Sequence, residues 1–72
     1  MVYGQRYERL KQVLREVRSE ADLTQTALAQ RLGKKQAYVS KIEVGERHIG
    51  FMDFIEWCDA CRADPAEVIK RI

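Results

Sequence analysis

Apolar residues recur along the chain at the three- and four-residue spacings of amphipathic helices, and nowhere in the strict alternation of a half-buried strand. Tyr3, Tyr7, Leu10, Val13, Leu14 and Val17 form a stripe that predicts a first helix from residue 3 or 4 to residues 19–21. The charges between them, from Arg6 to Glu20, are mixed in sign, as on a solvated face with weak pairs one turn apart. Leu28 and Leu32 mark one face of a second helix over residues 25–32, and Val39 and Ile42 one face of a third over 36–44. Phe51, Phe54, Ile55, Cys58 and Cys61 set the stripe of a fourth over about 51–62, with Trp57 at its edge. A fifth begins at Pro65 and carries Val68, Ile69 and Ile72. The pattern predicts an all-α chain of five helices.

The residues between the stripes say how the helices join. Asp22 and Leu23 make a short connection, and Thr24 is a good N-cap for a helix opening at Gln25. Gly33 can take the left-handed backbone that a helix end followed by a sharp turn needs, and Ala29 leaves room for the third helix to approach the second. Two short helices so joined, with facing apolar stripes, predict a helix-turn-helix over residues 25–44. With Val39 and Ile42 turned inward, a rotation of 100° per residue turns Ala37, Ser40, Lys41 and Val44 outward and sets Gln36 and Tyr38 on the flanks. Gly45 ends the third helix, and residues 46–50 form a loop holding Arg47 and His48. Asp64-Pro65-Ala66-Glu67 combines an Asp cap, a proline at the first helical position and a Glu at the third, a compact helix start.

Length and charge narrow the class. Seventy-two residues make one domain, near the lower limit at which a single core holds without staples. With 46% apolar and 33% charged residues, the chain is too hydrophobic for a disordered segment and too charged for a membrane protein. No apolar run reaches the roughly 18 to 20 residues of a membrane-spanning helix, and MVYGQRYERLK does not read as a secretory signal, so a cytoplasmic protein is expected. The net charge is only +2, but residues 31–50 hold five Lys/Arg against two Asp/Glu, and residues 51–72 three against five. That imbalance either marks where a polyanion is met or is the unevenness of any short chain.

Catalytic and metal chemistry find little to stand on. Cys58 and Cys61 have the spacing of a redox pair or half a zinc site, but the further ligands are missing apart from His48. Both lie on an apolar stripe, where two small buried hydrophobes are the favoured reading. Asp53, Glu56 and Asp59 read as solvated charges. There is no Ser/His/Asp, Cys/His or phosphate-loop arrangement. No enzyme activity, cofactor or metal is expected, and lone His48 reads as an exposed loop residue rather than a switch or ligand.

The segment LTQTALAQRLGKKQAYVSKIEVGERHI, residues 23–49, resembles the Cro/C1-type (Xre) helix-turn-helix regulators of phages and bacteria. The specific elements are Leu23-Thr24-Gln25, Leu28-Ala29, Leu32-Gly33, Gln36, Val39-Ser40-Lys41-Ile42-Glu43 and Gly45-Glu46-Arg47. The resemblance reaches from the first helix to Asp64-Pro65. It implies a compact five-helix, lambda-repressor-like DNA-binding domain whose third helix enters the major groove. Carried over position by position, Gln36, Ala37, Ser40 and Lys41 become the base readers. The chemistry agrees: Gln can pair with adenine N6 and N7, Lys can donate to guanine O6 and N7, and a methyl can meet thymine. Gln25 at the second helix's N-terminus, Lys35, Tyr38 and Arg47 become backbone contacts, and Arg18 and Glu43 pair to hold the third helix on the scaffold. For Gln36, Ser40 and Lys41 the competing reading is an ordinary solvated face, and for Tyr38 a shield at the motif's edge. Four positions depart from the family pattern: Lys34 in a usually apolar turn position, Lys35 where Ser, Thr or Pro more often begins the third helix, Gly50 in place of a capping side chain, and Val44 in place of a commonly polar residue on the exposed side.

The expected function is a sequence-specific regulator of transcription, a repressor, that binds a palindromic duplex operator as a homodimer. Its two readers would lie about 34 Å apart. Met52, Trp57, Ile69 and Ile72 either form the dimer surface or complete the core. A different class of function remains beside it: an antitoxin-like or adaptor module whose scaffold grips a protein partner.

Overall fold

The helices form where the apolar periodicity places them: α1 Gly4–Glu20, α2 Gln25–Leu32, α3 Gln36–Val44, α4 Phe51–Ala60 and α5 Pro65–Ile69. The computed structural model describes residues 4–72, so the predicted contribution of Tyr3 to α1 lies outside the described residues.

Four of the helices end in one way. Beyond α2, Gly33 turns left-handed at φ 69° and Lys34 N–H donates back to the Ala29 carbonyl at 2.9 Å. Beyond α3, Gly45 does so at φ 88° and Glu46 N–H reaches Lys41 at 2.9 Å. At the ends of α1 and α4 the same closure is made without glycine. Asp22 at φ 59° lets Leu23 N–H reach Arg18, and Arg62 at φ 56° lets Ala63 N–H reach Cys58 at 2.8 Å. A side chain in that region costs about 1 to 2 kcal/mol, so tertiary contacts must hold both turns. The turn at Arg62 is why α4 stops at Ala60, short of the expected residue 62. At the other ends, Thr24 Oγ1 accepts from Ala27 N–H and Asp64 Oδ1 from Ala66 N–H, both at 3.0 Å. α3 and α4 begin at Lys35 and Gly50 with no side-chain cap.

Every helix contributes to one core: Val13, Leu14 and Val17 of α1, Leu28 and Ala29 of α2, Val39 and Ile42 of α3, Phe54, Trp57 and Cys58 of α4, and Val68 of α5. Two expectations are corrected. Trp57, placed by periodicity at the edge of its stripe and as a possible surface residue, is 0% exposed, and its indole N–H donates to the Leu14 carbonyl at 3.3 Å. α4 packs on α2 while Trp57 reaches α1, so the flank of the stripe is covered as well as its centre. Phe51, placed on the core stripe, is 70% exposed. It is the first residue of α4, and helical side chains lean toward the N-terminus, which carries its ring past the end of the bundle. Likewise the five-residue α5 buries Val68 but leaves Ile69 exposed, with Ile72 half-buried; Met52 is exposed.

Candidate nucleic-acid interface

α3 packs against both α2 and α1. Because Val39 and Ile42 are buried in that packing, the opposite side of α3 faces solvent: Gln36, Ala37, Lys41 and Val44 are exposed, and Ser40 and Tyr38 half-buried. Lys35 is exposed at the N-cap, and Arg47 in the loop beyond. The sequence-predicted readers therefore share one solvent-facing side of α3, with the expected backbone contacts at its two ends.

A polar chain fixes this side to the scaffold. Glu43 is only 1% exposed, and its carboxylate accepts from Arg18 Nε at 2.6 Å, Arg18 Nη2 at 3.0 Å and Gln25 Nε2 at 2.9 Å. Arg18 also donates to the Leu23 carbonyl at 2.9 Å. Gln36 Nε2 donates to Gln25 Oε1 at 2.6 Å. Charge and hydrogen bonding thus run without a gap from Arg18 in α1 through Glu43 and Gln25 to Gln36, and among the described residues no buried side-chain N or O lacks a partner. The Glu43 hydrogen bonds push Arg18 further above its ordinary value, so it keeps its charge. Such a buried pair adds little net stability over an apolar one, and what it supplies is geometry.

The structure joins Arg18 to Glu43 as the resemblance implied, but the sequence reading left out two members of the cluster. Gln25 was assigned to a phosphate alone; here it also bridges Glu43 and Gln36, leaving its second amide hydrogen and the first backbone N–H groups of α2 for an anion. Arg15, read as part of a solvated face, donates to the Glu43 carbonyl at 2.7 Å. Its place one turn before Arg18 on the same face of α1 was the available signal.

At the far edge, the Tyr38 ring lies between two cations, with Lys34 Nζ 5.3 Å and the Arg47 guanidinium 5.0 Å from its centroid. Burial, then the nearby Asp53 charge, pushes the Tyr38 phenol up. Tyr38 thus gathers two positive charges beside α3. His48 turns the other way, its exposed ring tilted against Tyr7 with centroids 5.0 Å apart.

Cys58 and Cys61 are free and buried. Burial pushes the Cys58 thiol up to about 11 and raises Cys61, so both are protonated at neutral pH. Among the described residues no group of three His, Cys, Asp or Glu could hold a metal, and no helix is long and apolar enough to cross a membrane.

Comparison with known proteins agrees with this geometry. A helix-turn-helix domain family model matches residues 9–68. No curated protein matches the chain. Among solved structures, the XRE-family like protein from Pseudomonas syringae pv. tomato str. DC3000 superposes with a TM-score of 0.91 at 37% identity, over 97% of this chain and 85% of that one. A helix-turn-helix model over most of the chain and a related structure over nearly all of it show that this protein belongs to the XRE-type helix-turn-helix family of DNA-binding regulators.

Proposed function

We propose that the protein is a sequence-specific repressor that lays α3 in the major groove of a palindromic operator and binds as a homodimer. Gln36, Ala37, Ser40 and Lys41 read base edges, while Gln25, Lys35, Tyr38 and Arg47 grip the flanking backbone. The observation that carries this reading is the hydrogen-bonded chain from Arg18 to Gln36. It holds a reader side chain at the exposed start of α3 in a set orientation before any ligand arrives. The Lys34–Tyr38–Arg47 cluster supports it with positive charge beside the same helix.

Dimerisation follows from the spacing of half-sites. Readers about 34 Å apart need two domains side by side, and this one measures 33 × 25 × 20 Å. The exposed Phe51, Met52 and Ile69 supply an apolar contact surface.

A selection on random duplex DNA tests the reading, with a palindromic consensus as the expected result. Log affinity should fall against log salt with a slope of about −0.9 per phosphate neutralised. Gln36→Ala or Lys41→Ala should cost roughly 1 to 3 kcal/mol at particular base pairs, and Gln25→Ala or Arg47→Ala should weaken all sequences alike. A Lys41→Ala variant with unchanged sequence preference would remove Lys41 from the readers.

A second reading, an adaptor that grips a protein partner, is favoured by one feature. An apolar groove of about 350 Å³ opens between α1, α4 and α5, lined by Tyr7, Leu10, Ile49, Phe51, Phe54 and Ile69. Co-purification of one protein, with no salt-sensitive binding to any duplex, would favour it.

A further inference from the structure

A helix seated in a groove of its own domain keeps two soft motions, rotation about its axis and sliding along it. Both matter for a helix that reads bases, because successive bases rise about 3.4 Å along a strand and a hydrogen bond tolerates only a few tenths of an ångström. The Arg18–Glu43 carboxylate pair opposes rotation. It resists sliding less well, since the carboxylate hangs on a flexible side chain whose torsions can follow a small shift of the backbone.

Arg15 is attached differently. Its Nη1 donates at 2.7 Å to the backbone carbonyl of Glu43, so no torsion of the acceptor's side chain intervenes. That carbonyl belongs to the last turn of α3, where helix geometry supplies no partner and the helix dipole favours a cation. One turn earlier in α1, Lys11 lies over Gly45, the residue that closes α3. A Cβ on Gly45 would come within 2.8 Å of Lys11 Nζ and 3.1 Å of its Cδ. The Lys11 side chain is only 14% exposed and its ammonium is held by Glu8 at 2.8 Å. Lys11, Arg15 and Arg18 thus stand along one face of α1 and meet the C-terminal end of α3 at three points.

We propose that Arg15, with Lys11 beside it, is a positioning residue for sequence reading: it fixes α3 along its own axis, as Arg18 and Glu43 fix its rotation. The assignment rests on the DNA-binding function proposed above. It differs from the obvious role of an exposed arginine in such a protein, a direct phosphate contact, and the two roles differ in their salt signatures.

Arg15→Met, which keeps the aliphatic stem and loses the donors, and Arg15→Lys, which keeps a cationic N–H donor group, are compared with the unmodified chain. The probes are the duplex recovered by selection, its single-base variants and an unrelated duplex, each over a salt series, with thermal unfolding in parallel. Arg15→Met should bind the selected duplex about three- to tenfold more weakly and lose a similar factor of discrimination against single-base variants, as for one lost hydrogen bond. Its affinity for the unrelated duplex and its salt slope should stay unchanged, and Arg15→Lys should recover most of the loss. A slope shallower by about 0.9 in Arg15→Met would make Arg15 a phosphate ligand and overturn the proposal. So would equal weakening on every duplex, or unchanged discrimination in a variant that unfolds at the normal temperature. An unmodified chain that bound no duplex would overturn the proposed function itself, whereas binding by that chain with an indifferent Arg15→Met overturns only the brace.

Discussion

The seam between α1 and α3 is polar and closed, while the groove between α1, α4 and α5 is apolar and open. α1 builds both. Its later turns send Arg15 and Arg18 into a set of short hydrogen bonds around buried Glu43. Its first turns, with Arg6, Tyr7 and Leu10, line a groove bordered by Phe51, which is 70% exposed, and Ile69, which is 53% exposed. Hydrogen bonds between charged groups are directional, so the closed seam sets the angle and height of α3. Apolar contact is non-directional and scales with area, so the open groove suits association with another surface rather than orientation within the domain. A small domain can thus separate the region that orients a helix from the region left open to another surface.

The sharpest way to break this contrast is to remove what both regions share. Trp57 is fully buried and reaches α1 through its indole N–H, so Trp57→Ala should cost about 3 to 5 kcal/mol and loosen seam and groove together. Urea unfolding measures it, and a loss below about 1 kcal/mol would show that the two regions do not depend on a common core. Next comes the seam alone. Arg18→Met leaves the Glu43 carboxylate buried without its cation and should cost about 3 kcal/mol, part of which Glu43→Gln in the same chain should restore.

A pH series separates the buried thiols from both regions. Cys58 titrates at 9.0 as an ordinary thiol and near 11 when buried, so between those values the folded chain holds a proton that the unfolded chain has lost. The Cys58 contribution to stability should therefore be level below about pH 9 and be lost as pH rises toward 11, and Cys58→Ala should remove that part of the fall. Smaller again, Lys35→Ser gives α3 the side-chain cap it lacks and should add about 0.5 to 1 kcal/mol while weakening binding to all duplexes. Phe51→Ser closes the series: with its ring mostly exposed, unfolding should shift by no more than about 0.5 kcal/mol. Sedimentation should nonetheless show the proposed dimer weakened, and unchanged association would count against this face as its surface.

Much of this was legible in the chain. Thr24, Gly33, Gly45 and Asp64-Pro65 are local devices whose effect depends on their immediate neighbours, and the helix boundaries they mark agree with the structure. The ends of α1 and α4 were less legible, because Asp22 and Arg62 take the left-handed region with side chains in place, which the sequence marks less clearly than a glycine does. On the candidate interface, periodicity alone turned Ala37, Ser40 and Lys41 outward. The bonds from Gln25 to Glu43 and Gln36 join three helix positions whose approach no spacing rule encodes.

By itself the sequence determined the five helices, the facing stripes of α2 and α3 and the side of α3 left to solvent, since each depends on local backbone preference or on rotation within one helix. Tertiary structure decided the rest. It buried Trp57 and exposed Phe51, although periodicity had put the first at the stripe's edge and the second on it, because a stripe gives a direction but not what stands opposite. It likewise turned Arg15 from a solvated charge into a contact with the backbone of α3, a pairing across 28 residues that exists only once the two helices are packed.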